Sequence, residues 1–299
     1  TIRARGVINA AGPWVEQVLR KIEIGRDESE LRLVKGSHII TRKLYDGDHA
    51  YIFQNADNRV IFAIPYEDNY TLIGTTDVPY NRLDWKVEIS PDEINYLCSA
   101  VSEYFTQDVT PQDVVWTYSG VRPLYDDHNK NASAVTRDYV LDIDNYAGGR
   151  PFLSVYGGKI TTSRKLAEHA LEKLEDYYPE AGEPWTKDAP FPGGDIENAD
   201  FEALLETYTK QYPAINSKLR RRLARAYGTR LQMGVNGGDL GQHFGAGLHE
   251  CEARYLAEHE WAKTADDILW RRTKLGLHMS SPERDAFTAW FDGTLPPVG

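Results

Sequence analysis

Residues 5–22 read RGVINAAGPWVEQVLRKI, a short apolar run, a Gly-Pro turn and then a helical pattern. RGVINA predicts a short buried strand, and Trp14, Val15, Val18 and Ile22 recur at helical spacing after the turn. The same design returns at 151–178. PFLSVYG predicts a strand, Gly157-Gly158 a turn, and 160–178 an amphipathic helix with Leu166, Ala170, Leu171, Leu174 and Tyr178 on one face. Strand–turn–helix units of this kind indicate an α/β fold, and a lysine beside the second turn raises the question of an anion. A nucleotide P-loop requires G-x-x-x-x-G-K-[ST], but Leu153 stands at its first glycine position and Ile160 at its hydroxyl position. What remains at Gly158, Lys159, Ile160 and Thr161 is a helix start whose backbone N–H groups can favour negative charge, or one that uses glycine only for turn geometry.

Between these units the pattern changes. LRLVKGSHIITR (31–42), AYIFQ (50–54), RVIFAIPY (59–66) and YTLIGTTD (70–77) are β-rich runs separated by the polar turns DGD, NADN and EDN. Such a series predicts an antiparallel sheet. SPDEINYLCSAVSEYF (90–105) predicts a helix, with Ser90 as N-cap, Pro91 at its first position and acids in its first turn. Strands are again expected at DVVWTYSGVRPL (113–124) and SAVTRDYVLDI (133–143).

Composition shifts beyond 180. PEAGEPWTKDAPFPGGD (179–195) reads as a Pro/Gly-rich linker, and helical patterns follow at 199–211, 216–227, 247–262, 264–275 and 281–291. The fold class expected is therefore mixed α/β (α+β) over 1–190, followed by an all-helical domain over 191–299. The chain has 299 residues, 41% of them hydrophobic and 26% charged, in line with a globular protein of two domains. Its formal charge of −11 argues against a nucleic-acid partner, so an anionic ligand needs a local cationic cluster. Cys98 and Cys251 have no metal-ligand spacing and read as free thiols of a reducing compartment. His243, His249 and His259 form no zinc pattern, and no metal site is expected. The glycines of 234–241 and 245–247 follow no predicted strand, which argues against a dinucleotide-binding turn there. The basic stretch KLRRRLARAYGTR (218–230) reads as internal ion pairing, with an anionic lipid surface as the alternative, and Asp266, Asp267 and Arg271 as helix-surface ion pairs.

Three further residues lie in or at the ends of strands, where a charge needs a reason: His38 in KGSHII, Arg122 in SGVRPL and Arg137 in AVTRDYV. A lone strand histidine is more often structural than catalytic, and an arginine before proline more often pairs with a carbonyl or carboxylate.

Together the motifs VINAAGPW, KGSHII, IPYEDNYTLIGTTD, SGVRPLYDD, TRDYVLDI, GGKITTSRKLAEHAL, PWTKDAPFPGG and EHEWAKTADDILWRRTKLG occur in one order along nearly the whole chain. That series resembles the FAD-dependent glycerol-3-phosphate dehydrogenases, in particular the aerobic bacterial type. The resemblance implies part of an FAD-binding fold, a substrate domain whose antiparallel sheet roofs the flavin, and a helical C-terminal domain. Members begin with a strand and the pyrophosphate-binding turn G-x-G-x-x-G, which is absent here, so the chain is expected to be a C-terminal portion of such an enzyme. The implied reaction oxidises sn-glycerol 3-phosphate to dihydroxyacetone phosphate by hydride transfer to FAD, with electrons passed to a membrane quinone. The implied cofactor contacts are Ala11, Gly12, Trp14, Gly158, Lys159, Ile160 and Thr161. The implied catalytic and substrate-binding residues are His38, Arg122 and Lys159, with Arg137 as a further substrate contact. His38 suits the role of base because its ordinary pKa lies near neutrality, whereas an arginine binds and polarises. The resemblance also implies a cytoplasmic enzyme held peripherally on the inner face of the cell membrane, with a homodimer among its expected assemblies. Two alternatives stay open: an amino-acid or amine oxidase of the same fold, and a catalytically inactive fragment or interaction domain.

Overall fold

The computed structural model describes residues 3–22, 31–81, 86–125, 138–146 and 149–294. It divides into two compact units, Thr1–Lys187 and Asp188–Gly299. In chain order the first contains β1 (Val7–Asn9), α1 (Val15–Lys21), β2 (Leu31–Arg42), β3 (Tyr51–Gln54), β4 (Val60–Tyr66), β5 (Tyr70–Gly74), β6 (Val78–Pro79), α2 (Pro91–Ser102), β7 (Val114–Tyr125), β8 (Tyr139–Tyr146), β9 (Arg150–Gly157) and α3 (Ser163–Lys173).

β1, β9 and β8 form a three-stranded sheet in that order, with β1 parallel and β8 antiparallel to β9. Both faces of β9 are covered, which is why Phe152 to Tyr156 are buried without alternation. Val15 and Leu19 of α1 pack with Phe152 and Tyr156 on one face; Ala170 of α3 and Leu174 pack with Leu153 and Val155 on the other. The expected buried strand at 5–10 is shorter and lies at the sheet edge, with Val7 46% and Ile8 49% exposed. The expected helix 160–178 is a 3-10 turn (Ile160–Thr162), then α3, then a second 3-10 turn (Glu175–Tyr177).

The second sheet runs β3-β4-β5-β2-β6, with β7 along the other edge of β2. All its pairings are antiparallel. β2 is the spine, with β5 and β6 sharing one edge and β7 following the other from Leu31↔Tyr125 to Thr41↔Val114. One face is closed by α2, whose Leu97, Cys98, Ala100 and Val101 pack on Ile39, Ile61 and Ile73. A capping box starts that helix: Ser90 Oγ accepts from the Glu93 N–H and Glu93 accepts from the Ser90 N–H at 2.9 Å. Side chains alternate across a strand, so His38, one residue from buried Ile39, lies on the opposite face.

The second unit contains α4 (Phe201–Gln211), α5 (Ser217–Tyr227), α6 (Leu231–Gly234), β10 (His243–Gly245), β11 (Leu248–His249), α7 (Glu250–His259) and α8 (Ser281–Thr294). It is not wholly helical, because β10 and β11 form a hairpin whose turn residues Ala246 and Gly247 have φ of 49° and 81°. The glycines there serve a tight turn with positive φ. The expected helix 264–275 contains a π-helical turn, Asp267–Arg272, in which the Thr273 N–H and hydroxyl both donate to the Ile268 carbonyl. The basic α5 is tied internally. Arg222 grips the buried Glu252 at 2.8 and 2.7 Å, Tyr227 donates to the same carboxylate at 2.6 Å, and Arg221 pairs with Glu202. Arg271 pairs with Asp267 at 2.9 Å, as the helical spacing predicts.

Candidate functional site

The open face of the large sheet carries the first cluster. His38 pairs across β2 with Tyr118 on β7 and with Gly74 on β5. Its ring stacks on Tyr118 with centroids 4.9 Å apart and planes 13° off parallel. On its other side Gly74 makes the room: a Cβ there would lie 2.3 Å from the His38 Cδ2. Nδ1 is buried and has no hydrogen-bond partner among the described residues. Burial, and secondarily the Arg122 charge, lower its pKa to about 4. The imidazole is therefore neutral at neutral pH.

Arg122 lies on the same face, opposite Val34. Its Nη1 donates to Asp77 Oδ1 at 2.6 Å and its Nη2 to Thr75 Oγ1 at 3.1 Å. These two contacts fold the guanidinium back over Gly36, where a Cβ would lie 2.6 Å from Nη2 and 2.7 Å from Nη1. The cation thus stands two residues nearer to His38 along β2 than its register implies, and it stays about one-third exposed. Asp77, Thr75, Tyr118 and the glycines 36 and 74 pack around the two candidate residues and were not singled out from the sequence. The readable signal was glycine inside strand patterns, at KGSH, LIGTTD and YSGVR, since interior strand glycine often marks close approach of another group.

Behind this face a buried polar network fixes the loop that holds Arg122. Glu93 accepts from Lys35 Nζ at 2.7 Å, Ser37 Oγ at 2.8 Å and Thr76 Oγ1 at 2.7 Å. Thr76 Oγ1 in turn accepts from the Ser37 N–H at 3.0 Å, and Ser37 Oγ contacts Ser119 Oγ at 2.9 Å. Burial pushes the Glu93 carboxyl up, but the hydrogen bonds from Lys35, the Ser90 backbone, Thr76 and Ser37 prevail and hold it at about 2. The Thr75–Asp77 segment is therefore anchored from one side at Thr76 and presents Thr75 and Asp77 to Arg122.

A second cluster gathers at the carboxyl ends of β1 and β9. These neighbours run parallel, with Asn9 opposite Ser154, so their turns lie side by side. After β1 come Ala11, Gly12 (φ 54°) and Trp14, the latter 39% exposed, in a 3-10 turn closed by Trp14 N–H to the Ala11 carbonyl at 3.1 Å. β9 ends on Gly157, with φ 73°, and is followed by Gly158, with φ 94°, then exposed Lys159 in extended conformation and Ile160, 91% exposed. Side by side with them, Asn9 Oδ1 and Ser154 Oγ are buried without a hydrogen-bond partner among the described residues. The 3-10 turn Gly12–Trp14 also packs against β7, and a Cβ at Gly157 would lie 3.6 Å from the Pro123 carbonyl, next to Arg122. The structure thus brings His38 and Arg122 onto one face and places both glycine turns at the neighbouring end of the small sheet. Arg137 lies outside the described residues. Among the described residues no group of three or more His, Cys, Asp or Glu side chains could hold a metal ion.

Comparison with known proteins gives this geometry a context. Residues 1–164 match the family model described as FAD dependent oxidoreductase, and residues 184–289 that of the C-terminal domain of alpha-glycerophosphate oxidase. The chain is 49% identical to D-erythritol 1-phosphate dehydrogenase of Brucella abortus, over 98% of this chain and 59% of that protein. It is 48% identical to glycerol-3-phosphate dehydrogenase of Pseudomonas aeruginosa, over 95% of this chain and 56% of the relative. With aerobic glycerol-3-phosphate dehydrogenase of Escherichia coli the identity is 45%, over 96% and 58%. Among solved structures, glycerol-3-phosphate dehydrogenase from Bacillus halodurans complexed with FAD superposes with a TM-score of 0.74 at 24% identity, covering 98% of this chain and 62% of that one. The chain therefore spans less than three-fifths of the length of the three curated relatives it is compared with here.

Proposed function

Starting from a chain that belongs to the FAD-dependent oxidoreductase family, we propose that the intact protein oxidises a secondary alcohol of a phosphorylated polyol, sn-glycerol 3-phosphate or a close analogue, to the ketone. The observation that carries this reading is the neutral His38 imidazole beside the Arg122 guanidinium on one open sheet face. Oxidising an alcohol removes a proton from oxygen and a hydride from carbon. A base that is unprotonated at neutral pH, and a cation that binds the anionic or hydroxylated part of the substrate, are the two protein groups this needs.

His38 takes the hydroxyl proton. Nδ1 is shut off from solvent, so the ring meets a substrate through Nε2, held in orientation by the Tyr118 stack and the Gly74 wall. Arg122, braced by Asp77 and Thr75, binds and orients oxygen atoms of the substrate. Lys159, at the start of the turn beside Pro123, adds positive charge from the small sheet, and Arg137 is a further candidate for the same substrate.

The residues present fit FAD. Positive-φ glycines open both turns, the flat Trp14 and the apolar Ile160 stand exposed beside them, and Asn9 and Ser154 carry buried polar atoms without a hydrogen-bond partner among the described residues at the ends of the two strands. Ala11, Gly12 and Trp14 on one turn and Gly158, Lys159, Ile160 and Thr161 on the other would hold it, with backbone N–H groups favouring negative charge. Bound FAD supplies the two-electron acceptor for this chemistry. Onward transfer to a membrane quinone, from a protein held peripherally on the inner membrane face, completes the reading. No helix among the described residues is long and apolar enough to cross a membrane.

The test is turnover by the intact, FAD-loaded protein. His38→Asn is expected to lower kcat on glycerol 3-phosphate by roughly 10²–10⁴-fold with flavin content unchanged. An unchanged kcat removes the base role. Oxidation of glycine or sarcosine, with none of any polyol phosphate, would replace the reading by the amine-oxidase one.

A further inference from the structure

β5 and β6 share one edge of β2 without meeting on it: β5 ends at Gly74, opposite His38, and β6 begins at Val78, opposite Lys35. The chain passes Gly36 and Ser37 in between as the segment Thr75–Asp77. There Thr76 takes the place of a strand neighbour. Its N–H donates to the Ser37 carbonyl at 3.3 Å, and its hydroxyl accepts from the Ser37 N–H at 3.0 Å, as a strand carbonyl would. A hydroxyl has one proton to give, which fixes the direction of the bonds that follow. The Thr76 proton goes to Glu93 at 2.7 Å, and the Thr75 proton to the Thr76 carbonyl at 3.1 Å. Thr75 Oγ1 is thereby kept as an acceptor, and it receives Arg122 Nη2 at 3.1 Å while Asp77 receives Nη1. Thr76, 1% exposed, thus bonds toward the Glu93 network, and its two neighbours bond toward Arg122.

Resting on the reading above, we infer that Thr76 is a positioning residue of the oxidation: it sets Thr75 and Asp77 so that Arg122 stays folded over Gly36, within reach of a substrate held at His38. The Thr76 hydroxyl supplies two of the hydrogen bonds that tie the segment to β2 and α2. Once they are lost, Thr75 and Asp77 shift, and the guanidinium returns toward its register position opposite Val34, two residues further from His38. Oxygen atoms of a substrate bound by Arg122 then no longer line up with the base. The same retreat takes a positive charge away from the imidazole, against which Tyr118 packs from β7 and Gly74 from β5.

The test uses Thr76→Val, which keeps the branched shape and removes the hydroxyl, in the intact FAD-loaded protein. It is expected to lower kcat/KM for glycerol 3-phosphate, and the affinity of the oxidised form, roughly tenfold with flavin content unchanged. Thr76→Ser, which keeps the hydroxyl, should lose less than about threefold. The His38 ring is held neutral by burial and then by Arg122, so its NMR signals without substrate should titrate at higher pH in Thr76→Val. In an Arg122→Gln background Thr76→Val should add little to either change. A Thr76→Val protein that is merely less stable, with kcat/KM per flavin and the His38 titration both unchanged, overturns the inference and leaves the proposed function standing. A full further loss in the Arg122→Gln background overturns it too. If the wild type neither binds nor oxidises a polyol phosphate, the proposed function falls and the His38 titration alone decides on Thr76. Should Thr76→Val fail to fold, Thr76→Cys, a weaker donor in nearly the same space, is judged by the same two readings.

Discussion

At the scale of single residues the decisive quantity is the proton on His38. Burial lowers its pKa to about 4 and the Arg122 charge acts in the same direction. An ordinary histidine is half protonated near pH 6.5, so a base of that kind loses activity just below neutrality. His38 does not. Once the substrate phosphate's own ionisation near pH 6 is allowed for, kcat/KM of the intact enzyme should stay level down to about pH 5. Replacing Arg122 by Gln should move the acid limb upward, though not the whole way to 6.5, because burial is the larger cause. A wild-type acid limb already at 6.5 would defeat the assignment. The same shift bears on stability. Between pH 6.5 and about 4 the unfolded chain binds a proton that the folded chain refuses, so stability falls as pH falls through that window. The residue was legible as a candidate from KGSH, but its neutrality was not, since that depends on Tyr118, Gly74 and Arg122, which come from other strands.

At the scale of elements, α2 does more than cover the sheet. Its Glu93 closes the capping box and reaches through to Lys35, Ser37 and Thr76, so the start of one helix fixes the middle of β2 and the loop that braces Arg122. Lys35 and Glu93 are both buried, with side chains 10% and 6% exposed. Removing one charge from such a pair leaves the other without compensation. Glu93→Gln should therefore destabilise the protein by about 3–5 kcal/mol, whereas removing the stranded ammonium as well, Lys35→Met with Glu93→Gln, should cost less, because the amide oxygen still accepts from Ser37 and Thr76. Denaturant unfolding of the two variants checks this, and a Glu93→Gln protein as stable as wild type defeats it. The stabilisation from the depressed Glu93 pKa is full above pH 4.5 and is lost as pH falls from there to about 2. Of this arrangement the sequence displayed one part. S-P-D-E at 90–93 has capping-box spacing and predicts the helix start, and the β-rich run LRLVKGSHIITR predicts the strand. The ion pair joins positions 58 residues apart in sequence, and no local pattern encodes such a contact. The same limit hid the Thr75 and Asp77 braces of Arg122, which lie 47 and 45 residues before it.

At the scale of the whole chain, each unit is held by its own clusters. The first has the α2–sheet core and the two layers around β9. In the second, Tyr208, Leu219, Leu223 and Leu231 centre one cluster and Leu248, Leu256, Ile268, Phe287 and Phe291 another. The helices α4, α5, α7 and α8 were legible because amphipathic periodicity is a local signal. The hairpin at 243–249 and the π-helical turn were not, since each depends on one turn or one shared carbonyl. Between the clusters, residues 178–196 contain no α-helix or strand, and Trp185 and Phe191 are 74% and 80% exposed. Glu180 is tied to Arg5, Gly193 and Asp195 to Thr229, and Thr186 to α3, its hydroxyl donating to Glu168 at 2.5 Å and accepting from Arg164 at 3.3 Å. Lys187, next to it, is exposed and ends the first unit. A protease needs an exposed, locally extensible backbone, and a folded helical unit withholds one at most of its basic residues. Limited trypsin digestion under native conditions should therefore leave a persistent fragment whose N-terminal sequence begins at Asp188. If cleavage within α5, at Arg220 to Arg222, precedes that cut, the second unit does not hold together on its own clusters as described.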